Sequence, residues 1–112
     1  MDICLFKRWK QNIVSRYLLS NKAKEDLENI FTYISVDLTN LESASSLIHK
    51  LESKFQSLLD FPYAYPVIDN ESLEMENLRK TRVESYLVIY YVNEEENNII
   101  IVRVIHQRHD YL

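Results

Sequence analysis

The hydrophobic period of this chain changes once, near Leu78, and that change restricts what it can fold into. Upstream, Ala23, Leu27, Ile30, Phe31 and Ile34 recur mostly three or four positions apart, the stripe of an amphipathic helix over residues 20–33. Ser20 or Asn21 can cap its first amides. A second stripe runs through Ala44, Leu47, Ile48, Leu51, Phe55, Leu58 and Leu59. Thr39 followed by Glu42 has the form of a capping box at its start, and Phe61-Pro62 ends it, because the residue before a proline is pushed out of the helical region. The short link around residues 37–40 makes the two helices antiparallel neighbours. Downstream, residues 78–83 read as a short polar strand and 86–92 as an almost unbroken apolar and aromatic run; 99–105 is another, interrupted only by Arg103. Residues 13–19 read as a strand ahead of the first helix.

The order is therefore β-α-α-β-β-β, which predicts two helices packed on one face of an antiparallel sheet, an α+β layer fold. A chain of 112 residues can bury one such core. Runs that are apolar on both parities belong in the middle of a sheet. The chain has no glycine, so Asn97 and Asn98 are the residues to take positive φ in the hairpin turn at 94–98, and no glycine-rich phosphate loop can form.

Charge narrows the function. The formal net charge is −4, yet the first 24 residues carry six bases against one acid and residues 25–77 carry two against eleven. An acidic chain is a poor candidate for holding nucleic acid by its phosphates, although a local basic face is open to it. Cys4 has no partner within the chain, and no apolar run reaches the roughly 18 residues of a membrane span, so a cytoplasmic protein without disulfides is expected. His49, His106 and His109 have no metal-ligand spacing, and neither a metal nor a cofactor is expected.

The pattern from Leu19-Ser20-Asn21-Lys22-Ala23-Lys24-Glu25-Asp26-Leu27 through Ile30 and Tyr33-Ile34, then Phe61-Pro62, Leu78-Arg79-Lys80-Thr81-Arg82, Tyr86-Leu87-Val88-Ile89-Tyr90 and Ile101-Val102-Arg103-Val104-Ile105-His106-Gln107-Arg108-His109-Asp110 resembles the RelE/ParE superfamily of type II toxin-antitoxin toxins. The resemblance covers about residues 14–112 as one domain and leaves 1–13 as an N-terminal extension. It implies a cytoplasmic growth inhibitor neutralised by an antitoxin from an adjacent gene. It also implies one of two targets on one fold: DNA gyrase for ParE-like members, or messenger RNA on the ribosome for RelE-like endoribonucleases. A third reading is a degenerate module that binds its antitoxin and inhibits nothing.

A nuclease needs a base for the 2′-hydroxyl, cations for the phosphorane charge and an acid for the leaving oxygen. Lys80, Arg82, Arg108 and His109 would be its catalytic set, with Tyr111 as a stacking ring. For target or antitoxin binding the resemblance points to Arg79, Arg82, Tyr86, His106, Arg108 and Tyr111. The nuclease branch carries an arginine directly after the central-strand tyrosine, where this chain has Leu87, and little chain follows His106-Gln107-Arg108-His109-Asp110. Those departures, the Leu78-Arg79-x-x-Arg82 strand and the acidic balance place the chain nearer the ParE-like branch. Beside these roles stand plainer ones. Arg103 within an apolar strand must find a carboxylate or water, His106 ends a strand as a structural histidine, and His49 is solvated. Arg108 with Asp110 forms a sheet-edge pair. Tyr63, Tyr65, Tyr86, Tyr90, Tyr91 and Tyr111 serve core and interface rather than base stacking.

Overall fold

The computed structural model describes residues 16–68 and 77–107. Strand β1 (Arg16–Leu19) leads into helix α1 (Asn21–Thr32), a wider π-helical turn (Tyr33–Asp37) and helix α2 (Leu41–Asp60); strands β2 (Arg79–Val83), β3 (Tyr86–Asn93) and β4 (Asn98–His106) follow. This is the expected α+β order. The expected extension at residues 1–13 lies outside the described residues. Among the described residues no helix is long and apolar enough to cross a membrane.

The four strands form one sheet in the order β1-β4-β3-β2. β2, β3 and β4 are antiparallel as expected, but β1 lies parallel to β4, Arg16 opposite Asn98 and Leu19 opposite Ile101, so the sheet is mixed. The cause is the path of α1. Ser20 Oγ reaches the Val102 carbonyl at 2.8 Å, Asp26 reaches the Val104 amide at 2.9 Å, and Tyr33 shares a cleft with Tyr86 and His106. Helix α1 thus continues in the direction of β1 along the outer edge of β4, and α2 brings the chain back. An edge strand's unpaired groups invite other chains, and here a helix covers them where the four-residue β1 runs out.

The helices bury their stripes as predicted. Ala23, Ile30, Leu47, Leu51, Phe55 and Leu58 pack on Val83, Val88, Tyr90, Ile99, Ile101 and Val104, with Leu27 partly buried against them. The Tyr17 ring tilts against Phe55, centroids 5.3 Å apart. A second cluster, Leu78, Ile89 and Ile105 with Ile68, Leu87, Tyr91 and Val102, uses the other parity of β3. A bulge allows both: Tyr90 pairs with Ile101 and Ile89 with Arg103, leaving Val102 as an extra residue that resets which side chains face the helices.

Without glycine, four residues among those described take positive φ: Thr39, Asn77, Glu84 and Asn97. Asn97 does so as expected; Asn98 does not, because it is already the buried first residue of β4. Thr39, at φ 47°, corrects the capping-box reading. Its hydroxyl turns to the Leu38 carbonyl, and Asn40 caps α2 by accepting from the Ser43 amide at 3.0 Å. Replacing Asn40 by alanine is expected to lower stability by about 1 kcal/mol, while Thr39→Ala changes no cap bond. Urea unfolding of the two variants distinguishes the residues.

Candidate functional site

Where α1 passes the ends of β3 and β4, a cleft of about 540 Å³ opens between Lys22, Glu25, Asn29 and Tyr33 on the helix and Tyr86, Ile105 and His106 on the strands. Its wall is an ion pair. Arg103 donates through Nε to Asp26 Oδ2 at 2.8 Å and through a terminal nitrogen to Oδ1 at 3.0 Å, and the same Oδ2 accepts from the Val104 amide. The hydrogen bonds it donates to the Asp26 carboxylate hold the Arg103 guanidinium above its usual range against the opposing effect of burial. Arg103 therefore finds a structural partner, as its place in an apolar strand required.

The floor is aromatic. The Tyr86 and His106 rings meet edge to face, centroids 5.2 Å apart at 81°. Burial raises the Tyr86 phenol above its usual range, and the neighbouring Tyr33 adds to the shift. Next to this end of the sheet, an Arg82 terminal nitrogen donates to Gln107 Oε1 at 3.0 Å, and the Gln107 amide donates to the Ser85 carbonyl. Tyr86, His106 and Arg82, three residues singled out in the sequence, thus share one end of the molecule.

Arg79 does not join them. It faces Tyr90 at the start of β2, donates to the Tyr65 carbonyl at 2.6 Å, and lies over the Tyr63 ring at 5.0 Å. The Tyr63 hydroxyl donates to Glu94 at 2.5 Å and its pKa is pushed up to about 12, mainly by burial and then by that bond. Tyr65 accepts from Lys54 Nζ at 3.0 Å, which lowers its pKa. The Tyr90 hydroxyl donates to the Pro62 carbonyl, and burial pushes its pKa to about 12. These tyrosines tie the segment after α2 to the sheet. Lys80 and Arg82 are exposed and alternate with buried Thr81 and Val83, so both project from one face of β2. Leu87, half-buried, belongs to the second apolar cluster with Leu78, Ile89 and Ile105. Arg108, His109 and Tyr111 lie outside the described residues, and so does the Arg108/Asp110 pair. His49 is exposed on α2. Among the described residues no three His, Cys, Asp or Glu side chains are grouped to hold a metal.

Sequence reasoning gave no role to Asp26, Tyr33 or Gln107. For Asp26 the signal existed: it follows Ala23 by three positions and precedes Ile30 by four, so a carboxylate lies on the buried face of α1 and demands a cation. Tyr33 and Gln107 carry no such signal, because their places depend on the π-helical turn and on how β4 ends.

The fold is that of known toxins. The toxin chain it resembles in the chromosomal ParDE toxin-antitoxin system of Pseudomonas aeruginosa superposes with a TM-score of 0.64 at 18% identity, over 85% of this chain and 97% of that one. A chain of the RelBE2 toxin-antitoxin complex of Mycobacterium tuberculosis gives 0.59 at 17%, over 84% and 99%. No curated protein sequence matches the chain. Residues 17–111 match the family described as the ParE toxin of the type II toxin-antitoxin system parDE. Spanning both helices and all of the sheet but Arg16, that match places this chain in the ParE toxin family of type II toxin-antitoxin systems.

Proposed function

We propose that this chain is a growth-inhibiting toxin that acts on DNA gyrase in the cytoplasm and is held inactive by an antitoxin encoded beside it. The observation that carries the choice of target is Leu87. The nuclease branch of the superfamily that the chain resembles has an arginine there, and here the position is apolar and packed with Leu78, Ile89 and Ile105. A missing transition-state cation costs about 10² to 10³ in rate. Lys80 and Arg82 project together from β2 while Arg79 on the same strand is held by Tyr63 and Tyr65, so the cation at position 87 is not replaced, whereas a gyrase poison needs surface contacts and no catalytic centre. The similar ParDE and RelBE2 structures are of toxin-antitoxin systems. This chain's partner is accordingly a small protein that binds at nanomolar concentration or tighter and restores growth.

Induction of the chain alone is expected to bring a DNA-damage response and filamentation before protein synthesis falls. Mapping transcript ends within minutes of induction decides between the targets. Ribosome-dependent cuts within codons, abolished by Arg82→Ala or His109→Ala, would overturn the gyrase reading and make Lys80, Arg82, Arg108 and His109 a catalytic site. Failure of the neighbouring gene's product to co-purify above unrelated controls would remove the antitoxin.

A further inference from the structure

The turn between the helices is built to be touched. Tyr33, Val36, Leu38 and Leu41 lie within nine residues of chain and are 52–62% exposed. Monomeric proteins rarely display such clustered large apolar side chains without a partner. The backbone beneath them is irregular in two ways. Tyr33–Asp37 winds as a π-helical turn, closed by the Leu38 amide on the Tyr33 carbonyl at 3.1 Å, and Thr39, a β-branched residue, is held at φ 47°. Both features cost conformational energy and recur at functional sites.

Charge identifies the occupant. Between Lys24 and Lys50 there is no lysine or arginine, while Glu25, Asp26, Glu28, Asp37 and Glu42 supply five acids, of which Asp26 is already paired with Arg103 and Glu25 with Lys22. Exposed Asp37 stands within the patch itself and exposed Glu42 directly follows it. An apolar knob in an acidic collar repels an acidic protein and fits an apolar pocket rimmed by lysine and arginine.

We infer that the interhelical tip, Tyr33 to Leu41, docks into a cation-rimmed apolar pocket on the protein this toxin inhibits. The inference rests on the reading of the chain as a toxin and goes further by naming the surface that meets the target. Val36 and Leu41 are the anchors, and Asp37 with Glu42 steers the encounter. None of the four has a partner to lose in the fold comparable to the buried stripe, so their replacement leaves the core intact.

The test uses purified gyrase holoenzyme as the probe, with the full-length chain and its variants, and colony counts after induction as a second readout. The double variant Val36→Ser/Leu41→Ser is expected to bind gyrase at least about thirtyfold more weakly, the effect of losing interface anchors, and to stop killing while its melting temperature stays near that of the parent. Asp37→Asn/Glu42→Gln is expected to slow association several-fold at low salt, a difference that disappears in 0.5 M salt. Parental binding and killing by the serine variant would overturn the inference, and so would faster association after the collar is neutralised. If the parent chain does not bind gyrase, the target reading fails by itself. The colony counts then still judge the tip: lost killing supports it and unchanged killing overturns it.

Discussion

Replacing Asp26 by alanine is expected to destabilise the protein by about 2–4 kcal/mol, somewhat below the cost of breaking a fully buried pair because the Arg103 side chain keeps 33% of its surface in water. The loss has two parts. Arg103 is left as an uncompensated cation against the sheet, and the Val104 amide loses its acceptor at the edge of β4. Asp26→Asn separates them, since an amide oxygen can still accept from Val104 while the charge attraction is gone; roughly half the cost should remain. Asp26→Leu combined with Arg103→Met removes both charges together and should recover most of the stability, as buried pairs replaced by apolar groups commonly do. Urea unfolding of the three variants measures all of this. A loss below about 0.5 kcal/mol for Asp26→Ala would mean that the pair seals nothing.

Leu51→Ala is expected to cost about 2–5 kcal/mol. Leu51 is fully buried at the middle of α2, in the cluster that also holds Leu47, Phe55, Val88 and Ile101. Its surroundings come from a helix and a sheet at once, so neither can close over the cavity without moving the other. Leu51→Met keeps the volume and should cost less than about 1.5 kcal/mol. Equal losses for the two variants would show that the site tolerates a void, contrary to a layer of α2 on the sheet.

The helices were readable because a stripe at three and four positions has a single cheap resolution, burial of one face, and residues such as Leu47, Leu51 and Phe55 mark it without ambiguity. The parallel placement of β1 was not readable. It joins residues more than 80 positions apart, and a four-residue strand has too few side chains to register a period. The capping box failed for a local reason, since Thr39-x-x-Glu42 spells the motif while the left-handed backbone at Thr39 takes its hydroxyl away from the helix. At the site, Arg82, Tyr86 and His106 were marked by their place on strands that matched a family pattern, but Arg79 matched it equally well and is spent holding Tyr63 and Tyr65. A pattern records position along a strand and not which neighbour has already claimed a side chain. The bulge at Val102 belongs to the same class, because one inserted residue exchanges the faces of everything after it.

The helix laid along the edge of β4 also sets the timetable of folding. The strand pairing of β1 and the polar contacts from Ser20 on Ile101 to Asp26 on Val104 reach across about 80 residues to β4. At a synthesis rate of about 5–20 residues per second, roughly 4–17 s pass between the making of Ser20 and of His106. Contacts of such long range are the slow ones to form. Until β4 exists, β1 has no strand to pair with, Asp26 lacks Arg103, and the core that both helices share lacks Ile99, Ile101 and Val104. The first strand of the sheet is therefore the last to be paired, and for seconds the newborn chain lacks the sheet end where Tyr86 and His106 meet.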